Sequence, residues 1–126
     1  RLAELEPGEF AVIEFVIPRS SPFHRRHFKI LSAVFDQQER FDDFDMFRDW
    51  ITIGAGWVTW CAGPRGGVVP VPKSISYAKA DQSEFEEYHR KVIDFLRGQH
   101  APLFLWKKMG NDAHWRMDSL LQEFGE

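Results

Sequence analysis

The chain has 126 residues, of which 16 are basic and 19 are acidic, and its formal net charge is −3. The length suits a single domain with a sizeable core, and the 12 Phe and five Trp exclude a disordered chain. The acidic balance argues against nonspecific coating of nucleic acid. No apolar run reaches the roughly 18 residues of a membrane span, no signal peptide is visible, and the lone Cys61 fits a reducing compartment. We therefore expect a cytoplasmic protein with no membrane partner.

The first predicted elements are a strand and a basic helix. Residues 9–17 are rich in β-branched and aromatic side chains between prolines, which is typical of a strand. The Ser21-Pro22 pair predicts an N-cap followed by a proline in the first helical turn, with the helix running to about Phe35. Its apolar residues share one side at helical spacing. The basic residues occupy the other side, so we expect all three to point outward: Arg25, Arg26 and Lys29.

The middle of the chain predicts a second helix and a hairpin. Acidic residues precede apolar residues at helical spacing over 42–51, and Gly54-Ala55-Gly56 ends this pattern. The runs WVTWC and VVPV flank the turn-forming AGPRGG, which predicts two antiparallel strands. Pro70 and Pro72 cannot donate ladder hydrogen bonds, so the second strand is expected at an edge.

A third helix is the clearest pattern in the sequence. Asp81 and Glu84 resemble a capping box, Gly98 ends the helix, and one face carries Phe85, Tyr88, His89, Val92, Ile93 and Leu96. PLFLWK, beginning at Pro102, is interpreted as a strand or a buried turn, and residues 113–124 as a terminal helix. The predicted architecture is α+β: a single domain over 1–126, with three main helices and a small antiparallel hairpin.

Two segments carry positive charge and no acid within this acidic chain. Residues 19–29 carry +4 and residues 65–79 carry +3, whereas residues 36–49 carry −4 and residues 80–96 carry −3. If folding joins the two basic segments, they form one phosphate-binding surface, and the second adds hydroxyls and an aromatic ring suited to single strands. The alternatives are the solvated face of an amphipathic helix and an edge strand protected by lysines. The candidate nucleic-acid-binding residues are Arg19, His24, Arg25, Arg26, Lys29, Lys73, Ser74, Ser76, Tyr77 and Lys79.

Catalytic and metal sites are disfavoured by the sequence. His24 and His27 are spaced to bind one metal ion from the same face of a helix, but the further ligands of a zinc motif are missing. The acidic string from Asp42 to Asp49 would suit Mg²⁺ in a nuclease, yet acids at a helix N-terminus explain it more simply. No nucleophile motif and no phosphate-cradling loop is present. We expect no enzyme, no cofactor and no metal, and a metal-dependent nuclease remains an alternative.

The motifs RSSPFHRRHFKILSAVFD at 19–36 and PKSISYAKADQSEFEEYHRKVIDF at 72–95 carry a resemblance. The chain resembles a family of small phage and prophage proteins of unknown function over about residues 10–97, with residues 98–126 as a C-terminal extension. More distantly, its layout is similar to the NinB or Orf family of phage recombination mediators. That likeness implies a homodimer in a bacterial host that binds single-stranded DNA and helps to load a recombinase.

The functional prediction combines these observations. We expect a noncatalytic, phage-type protein that binds nucleic acid, with single-stranded DNA as the favoured partner and recombination as the setting. The competing hypothesis is a protein-interaction module that inhibits a host enzyme or defence system. In that case the acidic segments 36–49 and 80–96 would face a basic host protein.

Overall fold

The computed structural model describes residues 17–73 and 82–126, with side chains from residue 22 onward. The predicted α+β class is confirmed, but three main helices is too few, because the described residues form five helices. The predicted strand over 9–17 lies outside the described residues except for Ile17, which is helical. In chain order the elements are α1 (Ile17–Gln37), α2 (Phe44–Gly54), β1 (Val58–Ala62), β2 (Val68–Pro72), α3 (Gln82–Leu96), α4 (His100–Leu105) and α5 (Asp112–Gln122).

Helix α1 begins earlier than the sequence indicates. It starts at Ile17, so Pro22 lies inside the helix and the prediction of Ser21 as N-cap is wrong. A proline inside a helix removes one backbone hydrogen bond and disfavours the helical conformation of the preceding residue. Pro22 is exposed, and the residues that follow it bury an apolar stripe against the other helices. This packing outweighs the local penalty, which a local reading of the sequence does not detect.

Helix α2 and the hairpin agree with their predicted positions. The Asp43 side chain accepts a hydrogen bond of 3.0 Å from the backbone N–H of Met46, which caps α2. Strands β1 and β2 pair antiparallel in a register that sets Val58 opposite Pro72 and Ala62 opposite Val68. The turn between them contains Gly66 and Gly67, whose φ angles of 100° and 71° favour glycine.

Helix α3 has the buried face that its sequence predicts, with all six apolar-stripe residues from Phe85 to Leu96 buried. The capping box cannot be compared, since Asp81 lies outside the described residues. The interpretation of PLFLWK as a strand or turn is wrong, because His100–Leu105 form a short helix with Pro102 in its first turn, where the missing N–H costs little. The indole of Trp106 then donates to the carbonyl of Gln37 at 2.8 Å, which fixes α4 to the end of α1.

One hydrophobic cluster contains side chains of all five helices. Phe47 lies within it, fully buried, and its ring is 5.4 Å from that of Phe35 and 5.8 Å from that of Phe41. The hairpin contributes no buried side chain to this cluster and leaves several of its apolar residues exposed. In residues 17–73 and 82–126, no helix combines the length and apolar character needed to cross a membrane.

Phe47→Ala should lower the free energy of unfolding by about 3–5 kcal/mol, because it removes a buried ring and leaves a cavity. The matched control is Met46→Ala in the same helix, where a side chain that is 63% exposed should change stability by no more than about 0.5 kcal/mol. Urea unfolding followed by circular dichroism measures both. Equal losses for the two variants would contradict the core described above.

Candidate nucleic-acid interface

A groove opens where α1, α2, α3 and the hairpin meet, and we call it the hairpin groove. Its volume is about 410 Å³. Helix α2 contributes Arg48, Asp49 and Thr52, and the end of β2 leads to Lys73. Aromatic rings and apolar side chains form the remaining walls: Phe28, Val71, Pro72, Phe85 and Tyr88. The groove therefore combines two cations, one carboxylate and three rings.

A second, shallower hollow follows the outer side of α1, and we call it the α1 hollow. Its lining includes Arg25, Lys29 and Asp36. Phe28 lines both the α1 hollow and the hairpin groove. The two hollows therefore share this half-buried ring, and each contains an exposed lysine, Lys29 in the α1 hollow and Lys73 in the hairpin groove.

Hydrogen bonds fix the floor of the hairpin groove. The Thr52 hydroxyl donates to the carbonyl of Arg48 at 2.9 Å. Because this uses its only proton, the Tyr88 hydroxyl must donate to Thr52 across 2.9 Å. Burial raises the pKa of the Tyr88 phenol above its ordinary value, so the phenol keeps its proton. The oxygen of Tyr88 consequently offers acceptor capacity to a ligand rather than a hydrogen.

Both histidines of the candidate metal pair are buried between α1 and α3. The ring of His24 lies 3.8 Å from that of Phe85, and His27 is only 1% exposed. These positions explain the pair as part of the α1–α3 packing. His24, a candidate nucleic-acid contact, is therefore largely covered by this packing, with 6% of its surface exposed.

A network of polar side chains links α1 and α3 to the last residues of the sequence. The Nδ1 atoms of His27 and His89 are 2.7 Å apart, and Nε2 of His89 donates to a carboxylate oxygen of Glu126 at 3.0 Å. Glu126 also binds the guanidinium of Arg26, which donates through Nε to the carbonyl of Phe124 at 3.0 Å. One proton at most joins the two imidazoles, because each Nδ1 can donate or accept but not both.

Burial and contacts within this network shift the pKa values of His27 and Glu126. Burial, followed by the charges of His89, His24, Arg48 and Arg26, lowers the pKa of His27 from 6.5 to about 3. Partial burial raises the pKa of Glu126, but its hydrogen bond to His89 and the charges of His89 and Arg26 more than offset this and leave it below its ordinary value. Near neutral pH, His27 is thus neutral and Glu126 is ionised.

These contacts correct one expectation about α1. Arg25 and Lys29 are exposed as predicted, but Arg26 is partly buried and bound to Glu126 and Phe124, so it does not point freely outward. The outward arc of α1 is narrower than its charge pattern suggests. Arg26 lies at the border of that arc, where the last residues of the sequence cover it.

The second basic segment is described only up to Lys73, which is exposed and lies 5.2 Å from the centre of the Trp57 ring. The remaining candidates of this segment lie outside the described residues, namely Ser74, Ser76, Tyr77 and Lys79. The side chain of Arg19 also lies outside them. The predicted joining of Arg25 with Lys79 therefore stays a prediction. Two residues that line the hollows are not among the predicted binding residues: Phe28, which also packs against the core, and Arg48, which lies among acidic residues in the sequence.

The acidic string has structural partners. Asp43 caps α2, and Asp45 lies 3.9 Å from Arg48. Within the described residues, no three His, Cys, Asp or Glu side chains form a group that could hold a metal ion. The single thiol, Cys61, is exposed on β1.

The fold and site define a small α+β protein with a cationic, aromatic-lined groove beside a basic helix. The chain belongs to a family described as a protein of unknown function (DUF1367), which it matches over residues 36–101, just over half of its length. No curated protein and no solved structure matches the chain. The matched segment begins at the end of α1 and includes α2, the hairpin and α3, so it contains most of the hairpin groove.

The free energy of unfolding should fall as the pH drops from 6.5 to about 5. In this range the unfolded chain protonates His27, whose ordinary pKa is 6.5, whereas the folded protein with a pKa of about 3 does not. The unfolded state therefore binds more protons, and this residue contributes a slope approaching about 1.4 kcal/mol per pH unit. Below this range the lowered pKa of Glu126 adds a loss in the same direction.

His27→Gln should remove much of this slope, since an amide does not titrate there. His100→Gln is the matched control, because His100 is exposed, and it should leave the slope unchanged. Urea unfolding at several pH values measures the effect. An unaltered slope in His27→Gln would contradict the assignment of acid sensitivity to this buried imidazole.

Proposed function

We propose that this protein binds single-stranded DNA without catalysing a reaction, as a phage-type protein acting in recombination. The observation that carries the proposal is the position of Phe28 in the lining of both the α1 hollow and the hairpin groove. The cations of α1 line one of these hollows and the cation that follows β2 lines the other. A strand that follows one hollow would thus continue into the other.

The balance of charge on this surface favours an anionic ligand. The two hollows together are lined by four cationic and two acidic side chains, in a protein whose net charge is −3. The cations are Arg25, Lys29, Arg48 and Lys73. A local excess of positive charge attracts phosphates even when the whole protein is acidic. This supports the binding of a phosphate backbone at this surface rather than over the whole protein.

The rings favour a single strand over a duplex. Bases that are free of pairing can stack on aromatic side chains while cations follow the backbone. Phe28 is half-buried, and Pro72 and Tyr88 also line the groove to which its ring belongs. A duplex presents only its outer phosphates and groove edges, so it would leave this ring without a partner.

The phage setting rests on the resemblance in the two sequence motifs, and the recombination role and the homodimer rest on the more distant likeness of the layout to the NinB or Orf family. The family match covers the middle of the chain and carries no functional description. Binding of a single strand would fit a mediator, since such a protein must hold DNA without cutting it. Sedimentation velocity at micromolar concentrations tests the dimer.

A protein-interaction module is the second candidate function, and the hairpin favours it. Trp60 is 63% exposed and Val68 is 65% exposed on one face of the hairpin, and Val69 and Val71 are partly exposed on the other face. Exposed apolar residues close together are typical of protein interfaces. If the hairpin binds a host protein, the cations of α1 do not contribute to that binding. Substitution of these cations therefore distinguishes the two candidate functions.

Lys29→Ala combined with Lys73→Ala should weaken binding to single-stranded DNA for all sequences alike. Each phosphate contact contributes about 0.7 to the slope of log affinity against log salt, so losing two contacts should reduce that slope by about 1.4. Fluorescence anisotropy across a salt series measures both quantities. The loss should be independent of sequence because phosphate contacts carry no base readout.

Lys107→Ala combined with Lys108→Ala is the matched control. Both residues are exposed after α4 and outside the two hollows, and the change in net charge is the same. The control should retain the slope of the unaltered protein. If both double variants lose affinity equally, net charge alone drives binding, and the proposed surface is wrong.

A further inference from the structure

We propose that two copies of this chain associate through the outer edge of β1, so that their hairpins join into one four-stranded sheet. The inference goes beyond the proposed function, because it assigns the dimer to a particular edge and does not depend on DNA binding. It rests on the direction of the backbone groups in the hairpin and on the uncharged sequence of both strands.

The hydrogen bonds at the two ends of the hairpin determine which backbone groups point outward. The N–H of Gly63 donates to the carbonyl of Gly67 at 2.9 Å, and the N–H of Lys73 donates to the carbonyl of Trp57 at 3.0 Å. In an antiparallel ladder, residues that exchange hydrogen bonds alternate with residues whose N–H and C=O point away from the partner strand. The odd-numbered residues of β1 therefore bond to β2. The even-numbered residues point to the outer edge, and these are Val58, Trp60 and Ala62.

The two edges of the hairpin differ in what they offer to another strand. On β2 the same alternation turns Pro70 and Pro72 outward, and a proline has no N–H to donate. On β1 the N–H groups of Trp60 and Ala62 point outward, and among the described residues no other strand pairs with them. Natural sheets protect their edges with prolines or charges. Of these two strands, β1 has neither protection and is the one that can extend the sheet.

A second copy of the chain fits this edge, because the edge carries no charge. Neither strand contains a charged side chain, and the hairpin between Val58 and Pro72 has only Arg65, in its turn. A two-fold axis brings like residues together, so a charged interface would repel its own copy, whereas β1 can meet itself without this cost. Because prolines block β2, association through β1 stops at two copies and does not continue into a filament.

The register of this contact follows from the outward residues. Only an alignment with Trp60 opposite Trp60 of the second copy pairs all three of them, since it sets Ala62 opposite Val58. The N–H of Ala62 then donates to the carbonyl of Val58 of the second copy, while the N–H of Val58 already donates to Gly56 at 3.1 Å. The two indoles, each 63% exposed in the single chain, lie side by side. Aromatic residues directly opposite each other stabilise antiparallel strands.

The contact is short, which limits the stability of the dimer. Strand β1 has five residues, and a strand rises about 3.4 Å per residue. An interface of this length buries less than the roughly 1,200 Å² of a standard protein interface. We therefore expect a dissociation constant of roughly 10–100 µM.

Sedimentation velocity over loading concentrations from about 1 µM to about 1 mM measures this equilibrium. Ala62→Pro removes an outward N–H from each copy and leaves the ladder with β2 intact, so it should weaken dimerisation about tenfold or more. Ala62→Ser is the matched control, because it keeps the N–H, and its dissociation constant should stay within about twofold of the original. A protein that stays monomeric at the highest concentration, or equal dimerisation of the two variants, overturns the proposed interface.

A cross-link tests the register without relying on the proline variant. Thr59 lies opposite Cys61 of the second copy in a non-hydrogen-bonded pair, whose Cα atoms are about 4.5 Å apart, within the range of a disulfide. Thr59→Cys should therefore give a dimer on a non-reducing gel after mild oxidation with diamide. The two Cys61 residues are diagonal neighbours and too far apart to join, so the unaltered protein should not cross-link. Val71→Cys, opposite Thr59 on β2, is the matched control and should give no dimer either.

The cross-linking result decides the register. Absence of the dimer in Thr59→Cys, or equal cross-linking of Val71→Cys, overturns the pairing of β1 with its own copy.

Binding to single-stranded DNA, measured in parallel, separates this inference from the proposed function. DNA binding by a protein that never dimerises overturns the β1 interface alone. Dimerisation that is lost in Ala62→Pro and kept in Ala62→Ser supports the interface, even where the unaltered protein binds no DNA and the proposed function fails.

Discussion

The packing of α1 against α3 through aromatic and imidazole rings is the constraint on which the rest of the described structure depends. His24 and His27 of α1 both contact Phe85, and His27 also meets His89. Apolar contact and a polar link thus lie in the same interface. The link to His89 fixes the rotation of α1 about its axis, because an imidazole that is 1% exposed must keep its hydrogen-bond partner.

That fixed rotation determines what the surface of α1 presents. With His24 and His27 turned inward, Arg25 and Lys29 are turned outward, and Phe28 lies at the border beside the hairpin groove. Tyr88, one residue before His89, is held by Thr52 of α2 and forms the floor of the same groove. The buried interface and the proposed binding surface are therefore two sides of the same helices.

The sequence predicted the elements whose local signals agree with their packing. The α3 stripe, the acidic entry of α2 and the two strands of the hairpin all follow from spacing within a short stretch of chain. The errors arose where distant residues decide. Pro22 inside α1 is tolerated because of packing with other helices, and Arg26 is covered by Phe124 and Glu126, contacts that no local pattern encodes. For the same reason, the sequence predicted only one of the two cations of the hairpin groove, Lys73, and did not predict how the groove is arranged.

The ion pair between Arg26 and Glu126 has a consequence for the rate of folding. The two residues are 100 positions apart in the sequence, and His27 and His89 are 62 apart. Contacts of such long separation close slowly, because the loop entropy must be lost before the contact is gained. During synthesis, α1 is made before the other described helices. Phe35 can pack on Phe44 and Phe47 once α2 follows, but His27 meets His89 only after α3 is made, and Arg26 meets Phe124 and Glu126 only after α5 is made. The polar contacts of the most basic helix are thus among the last that the described residues can form.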